Sequence, residues 1–128
     1  MTGITPDLAM GLFLEERHYA SLTLVTPGGR PHVTPVGFGW DRAAGLVRTI
    51  TFGGSHKAQL LSSAPLAAAL CQVDGARWAT IEGTAAVTQD PDRVAAAVAA
   101  YTNRYQAPRH RPDRVAIEIT PARLMGRA

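Results

Sequence analysis

The densest chemistry in this chain lies in Thr49-Ile50-Thr51-Phe52-Gly53-Gly54-Ser55-His56-Lys57. A β-branched and aromatic run stops at two glycines, and a serine follows where a helix can begin. Glycines let backbone N–H groups approach an anion, and a helix start adds partial positive charge. Ser55 offers a hydroxyl, and Lys57 a point charge suited to phosphate. Lys57 is the one lysine among 13 basic residues, so the other twelve are arginines. A chain that uses arginine everywhere else and sets its lysine just after Gly-Gly-Ser singles that position out. The plainer alternative is a Gly-Gly turn with a serine cap and a solvated lysine. The spacing is not that of a Walker loop, which excludes a nucleoside triphosphatase of that type.

Three other groups carry possible chemistry. In Pro31-His32-Val33-Thr34-Pro35-Val36-Gly37, His32 and Thr34 share a face, and Pro35 and Gly37 leave backbone groups accessible. A planar ring could lie along such a strand; an edge strand protected by prolines fits equally well. In Trp78-Ala79-Thr80-Ile81-Glu82-Gly83-Thr84 the alternation puts Trp78, Thr80, Glu82 and Thr84 on one face. That face suits a ligand or a second subunit, or else Trp78 packs under the N-terminal helix. Arg104, Arg109, His110, Arg111 and Arg114 cluster around Pro108 and Pro112, where they could clamp carboxylates or simply face water. Histidines 18, 32, 56 and 110 lack metal-ligand spacing, no nucleophile triad can be read, and Cys71 sits in an apolar run as an inert thiol. No catalytic side chain is nominated, and any chemistry is expected from a cofactor.

The elements that must position these groups follow from periodicity and punctuation. Thr5-Pro6-Asp7 predicts a helix capped at Thr5 that fades after Arg17. Strands are expected over 19–26 and 33–40, joined by Pro27-Gly28-Gly29 as a hairpin. Further strands are expected over 46–52, 66–73, 77–88 and 114–120. A short helix is expected over 56–62. Asp90-Pro91 caps another, with Val94, Val98, Tyr101 and Tyr105 on one face. Six strands, mostly in hairpins, with short flanking helices predict a mainly-β fold, a closed antiparallel barrel forming a single domain over 1–128.

Composition narrows the partners. Hydrophobic content of 46% and charged content of 18% are those of a globular protein. No apolar run approaches the roughly 18 residues a membrane helix needs, and no secretory signal is visible. A single cysteine rules out an internal disulfide and agrees with a cytoplasmic setting. The net charge of +3 comes from scattered arginines, as a GC-rich genome would give, and no nucleic-acid recognition motif accompanies them.

Several segments in order resemble one family. They are Phe13-Leu14-Glu15-Glu16-Arg17-His18, Pro31-His32-Val33, Val36-Gly37-Phe38, Gly53-Gly54-Ser55-His56-Lys57-Ala58 and Gln72-Val73-Asp74-Gly75-Ala76-Arg77-Trp78 with Glu82-Gly83. Arg104-Tyr105, Pro108-Arg109 and the run from Val115 to Ile119 complete the series. The chain resembles the pyridoxamine-phosphate-oxidase-like split-barrel superfamily, in its branch of deazaflavin-dependent oxidoreductases. Within that branch it is similar to the actinobacterial biliverdin reductases that use coenzyme F420. The resemblance implies a homodimer with cofactor sites at the subunit interface and the FMN-binding split-barrel type of fold. It implies a cofactor site made of His32, Thr34, Pro35, Val36, Thr51, Gly53, Gly54, Ser55, Lys57 and Trp78. Ser55 and Lys57 would take the phosphate, and the strand from His32 to Val36 would lie along the ring. Arg104, Arg109 and His110 would meet the anionic tail of the cofactor or carboxylates of the substrate. The implied activity is hydride transfer from reduced F420 to a conjugated acceptor such as biliverdin. No protein acid stands out in the sequence, so the accompanying proton is expected from solvent. An FMN-dependent reductase or oxidase, or a carrier that binds deazaflavin without turnover, are the alternatives.

Overall fold

A computed structural model describes residues 3–128. The elements are α1 (Leu8–Glu15), β1 (Ala20–Val25), β2 (Pro31–Val36), β3 (Phe38–Asp41), β4 (Leu46–Phe52), α2 (His56–Leu61), β5 (Leu66–Asp74), β6 (Arg77–Thr88), α3 (Pro91–Arg104) and β7 (Arg114–Arg127). The seven strands form one sheet in the order β2-β1-β5-β6-β7-β4-β3, antiparallel at every step.

This order dictates the shape. β2 and β3 are the two edges of the sheet, yet only Gly37 separates them in the chain. Laid flat, seven strands would hold their edges about 29 Å apart, whereas one intervening residue spans about 7 Å. The sheet therefore curls until its edges meet at Gly37. They share no ladder, so the barrel is split rather than closed, and the predicted single strand over 33–40 is two strands on opposite edges. Side chains replace the missing ladder at this corner. Thr49 Oγ1 donates to the Gly37 carbonyl at 2.7 Å, and the Phe38 N–H donates to the Tyr105 hydroxyl at 3.1 Å. Gly37 has no room for a side chain: a Cβ there would lie 2.7 Å from the Tyr101 ring and 2.9 Å from that of Tyr105.

Alternation fills the interior. Leu22 and Leu24 of β1, Leu70 of β5, Ile81 of β6 and Ile117 and Ile119 of β7 are fully buried, with Phe13 and Leu14 of α1 packed into the same core. Each such side chain contributes roughly 1.5–3 kcal/mol. On β6 the alternation puts Ala79, Ile81, Gly83, Ala85 and Val87 on one face: Ala79, Ile81 and Ala85 are buried and Gly83 and Val87 half-buried, while on the other face Trp78, Thr80 and Glu82 are half-buried and Thr84 is exposed.

Two predicted boundaries shift for local reasons. Asp7, not Thr5, caps α1: its carboxylate accepts from the Met10 N–H at 2.8 Å, so the helix starts at Leu8 and leaves Pro6 outside. The last strand does not stop before Pro121 but pairs with β6 as far as Arg127. A bulge between Glu82 and Gly83 absorbs the proline, which lies opposite Gly83.

Candidate functional site

β4 delivers the chain to Gly53, and α2 carries it away. Ser55 is the cap of α2, with its Oγ accepting from the Ala58 N–H at 3.2 Å. The Gly53 N–H is spent on the Asp113 carbonyl at 2.9 Å, and the Ser55 N–H on the Phe52 carbonyl at 3.0 Å. The backbone amide cradle read from the sequence is thus partly used inside the fold. The glycines have another meaning. Neither Gly53 nor Gly54 has a positive φ, and a Cβ at either would meet its nearest neighbour at an ordinary 3.8 Å. The fold itself does not require glycine at these positions.

Lys57 follows, half-buried, with no carboxylate partner among the described residues. Burial lowers its pKa from the usual lysine value. His32 packs edge-on against His56, ring centres 4.7 Å apart. His32 lies opposite Leu24 and Thr34 opposite Leu22, so both point to the inner face of an edge strand. There the His32 Nε2 and Thr34 Oγ1 are buried without a partner among the described residues. Burial, and then the nearby His56 and Lys57, holds the His32 pKa below that of a free imidazole, so the ring is neutral at pH 7.

Beside this cluster opens a cavity of about 440 Å³, walled by Pro35, Val36, Gly37 and Ile50, with Tyr19, Tyr101 and Pro108 around it and Lys57 and Arg114 as its cations. Tyr19 stacks on Tyr105 at 5.2 Å with 9° between the planes. The Tyr105 hydroxyl donates to the His18 carbonyl at 2.6 Å while accepting from Phe38, and burial raises its pKa, so this phenol stays protonated and fixed. From the sequence, Tyr19 has no role beyond its strand, Tyr101 none beyond a helix face, and Ile50 none beyond its place in the 49–57 run. Tyr19 leaves one signal in retrospect, a large aromatic at the outward start of a strand, 60% exposed.

The basic cluster divides. Arg104 is a brace inside the fold and does not join Arg109 and His110. Its Nε donates to the Glu16 carbonyl at 2.9 Å, Nη1 to the Phe38 carbonyl at 2.9 Å, and Nη2 to Gln72 Oε1 at 2.6 Å and again to the Glu16 carbonyl. Its guanidinium lies 4.1 Å over the Phe38 ring. Gln72, fully buried, donates in turn to the Phe13 carbonyl. Arg111 is paired with Asp113 and stacked on Phe52. Arg109 and His110 remain exposed along a groove of about 760 Å³ between α3 and the 108–114 segment, which shares Pro108 and Arg114 with the cavity. Thr51 is buried in β4, and Trp78 stands on the outer face of β6, lining neither cavity nor groove.

Glu16, His18 and Asp74 bring their ligating atoms within 4.8 Å of one another, as a cation site would. Arg77 already takes that role, donating to Glu16 at 2.8 and 2.9 Å and to Asp74. Hydrogen bonds from Arg77, then His18, hold Glu16 down at about 2.

Residues 9–127 match the family model of pyridoxamine 5'-phosphate oxidase. The chain belongs to the pyridoxamine 5'-phosphate oxidase family. Within that family its sequence is 47% identical over 116 residues to an F420H(2)-dependent biliverdin reductase of Mycobacterium tuberculosis, covering 91% of this chain and 84% of that protein. Among solved structures it is similar to a conserved hypothetical protein from Mycobacterium tuberculosis, with TM-score 0.78 and 20% identity over 98% of this chain and 86% of the other. It is also similar to an F420 reductase, with TM-score 0.73 and 26% identity over 94% and 98%. The split barrel is therefore the fold of this oxidase family. No helix among the described residues is long and apolar enough to cross a membrane.

Proposed function

We propose that this protein is a homodimeric cytoplasmic reductase that uses reduced coenzyme F420 to reduce a conjugated tetrapyrrole of the biliverdin type. The observation that carries this reading is the 47% identity, over 91% of the chain, to an F420H(2)-dependent biliverdin reductase.

The residues present fit the cofactor on three counts. Lys57 is a half-buried cation with no carboxylate beside it. His32 Nε2 and Thr34 Oγ1 are buried polar atoms awaiting partners. Gly53 and Gly54 are bare backbone that the fold does not itself demand. A phosphate at Lys57, with the Ser55 hydroxyl donating to it, satisfies the charge. Pro35, Val36 and Gly37 form a shelf for a planar ring, and neutral His32 and Thr34 supply hydrogen bonds at its edge. When bound, F420H2 supplies the hydride from the carbon that stands where flavin has N5. The chain's own work is to hold and orient the ring and to shield it from water on the shelf side. The Tyr105 phenol is held by the His18 carbonyl and has no free proton to offer, and in this reading the proton is taken from solvent. Arg109 and His110 along the groove suit carboxylates of the cofactor tail or of the acceptor.

The outer face of β2, β1 and β5 supports the dimer. Val33, Thr23 and Ala69 form one cross-strand row, and Pro35, Ser21 and Cys71 the next. Among the described residues, no charged side chain stands on this face until the Glu82–Arg123 pair on β6 and β7. Val25, Val33 and Val73 are exposed there, and Trp78 flanks Val73. An uncharged sheet face of this extent suits a second copy.

The test is to follow oxidation of F420H2 with biliverdin as acceptor, alongside titrations of F420 and FMN and light scattering. Turnover by a dimer that prefers F420 is expected. Tight binding of F420 with no turnover of any tetrapyrrole would make the protein a carrier. Tighter binding of FMN would overturn the cofactor, and a monomer with full cofactor affinity would overturn the dimer.

A further inference from the structure

A second cavity, of about 600 Å³, lies between α1 and α3 over β3 and shares no lining residue with the cavity beside Lys57. Small side chains create it: Gly11 on α1, Gly39 on β3, and Ala96 and Ala100 on α3 all face the space. Its rim is apolar where a surface helix is ordinarily polar. Leu8 is 80% exposed and Leu12 56%, one turn apart on α1 and both lining the cavity. Two of the residues that line it, Trp40 and Arg48, have a buried nitrogen, Nε1 and Nε, with no acceptor among the described residues. Native structures rarely leave such donors unmet.

The other charged groups do not meet this need. Asp41 is held by Arg48 Nη1 and by the Ala44 N–H at 2.9 Å, and Arg42 Nη2 is spent on the Pro6 carbonyl at 2.8 Å. Glu15 stands exposed on α1. What the cavity lacks is an acceptor set in an apolar body. We propose that it is a second small-molecule site, for an amphipathic carboxylate. Its apolar part packs on Leu8, Leu12 and the Trp40 ring, and its oxygens accept from Trp40 Nε1–H and Arg48 Nε–H. The cavity touches the Arg109 groove at Ala99 but shares no residue with the cavity beside Lys57, and the proposal does not depend on the reading of that site.

Calorimetric titration with octanoate and octylammonium tests this, because the two share an apolar chain but only the carboxylate can accept. Octanoate should bind saturably, once per chain, and octylammonium should not. Trp40→Phe keeps the ring and removes the donor. It should weaken octanoate about tenfold, as expected for one hydrogen bond to a charged group. Ala96→Phe fills the space and should abolish binding, with F420 affinity unchanged in both variants. Unfolding midpoints establish that each variant is folded, and if Ala96→Phe is not, Trp40→Phe decides alone. Failure of octanoate to bind, equal binding of octylammonium, or unchanged affinity in folded Trp40→Phe would each overturn the proposal and leave water as the partner of both donors.

Discussion

Replacing Lys57 by methionine separates what this residue does for the fold from what it does for a ligand. Methionine keeps the length and apolar stem and removes the charge. In the free protein that charge is half-buried and faces no carboxylate, and burial already lowers its pKa. Losing it should leave the unfolding midpoint unchanged or raise it slightly, the pattern of a residue kept for function. A charge-assisted hydrogen bond to phosphate is worth roughly 1.5–3 kcal/mol. At 1.4 kcal/mol per factor of ten, cofactor affinity should fall about ten- to a hundredfold. The upper part of that range is expected, because no internal anion shares the ammonium. The pH dependence has a definite sign. Anion binding favours the charged lysine, so affinity is full below the Lys57 pKa and falls as pH rises through it, beginning below the ordinary 10.5. Titrating cofactor fluorescence between pH 7 and 10 should show this alkaline loss in the wild type and not in Lys57→Met. Unchanged affinity in the variant, or an affinity loss matched by a loss of stability, would refute the reasoning.

Arg104→Met should cost about 3 kcal/mol in urea unfolding, because the carbonyls of Glu16 and Phe38 and the Gln72 amide oxygen all lose their donor at once. Gly83→Ala and Gly54→Ala should behave oppositely. A Cβ at 83 falls 2.1 Å from the Thr120 carbonyl oxygen and forces the backbone to move, at about 1–3 kcal/mol, whereas one at 54 has ordinary room. Gly54→Ala should therefore unfold like the wild type and weaken only cofactor binding. His32 is depressed in the fold, so its contribution to stability is complete above about pH 6.5 and is lost as pH falls through its lowered value. His32→Leu should flatten that part of the stability profile. Glu16 adds a separate acid limb: its stabilisation is present above 4.5 and is lost as pH falls toward about 2.

Where a pattern is local, the sequence states it well. The β4 and β6 strands have the bounds that alternation predicts, because their period-2 runs end in glycines or a Pro-containing turn. The α1 cap is a local error, at Asp7 rather than Thr5, but the larger errors are non-local. Nothing in Val33 to Trp40 says that the chain changes edges at Gly37, since the decisive contacts come from Thr49, Tyr101 and Tyr105, far along the sequence. Arg104 looks like one of a surface cluster until the fold sets it against the carbonyls of α1 and β3. The Gly53 amide looks free until Asp113 returns beside it.

The same split explains why the candidate site lies where it does. In a closed barrel a strand beyond β2 would cover the inner side of that edge, and polar residues there would have ladder neighbours or would have been apolar. Here β2 has β1 on one side only, and the chain leaves its far end through Gly37 to the opposite edge of the sheet. His32 and Thr34 point inward at a margin that no strand seals, and their polar atoms stay unmatched. α2 brings Lys57 close to that margin, and α3 brings Tyr101 over the corner. Polar atoms short of partners, an uncompensated cation and a flat apolar shelf thus converge because the edges meet without pairing. Closing the split with a ladder would remove all three together.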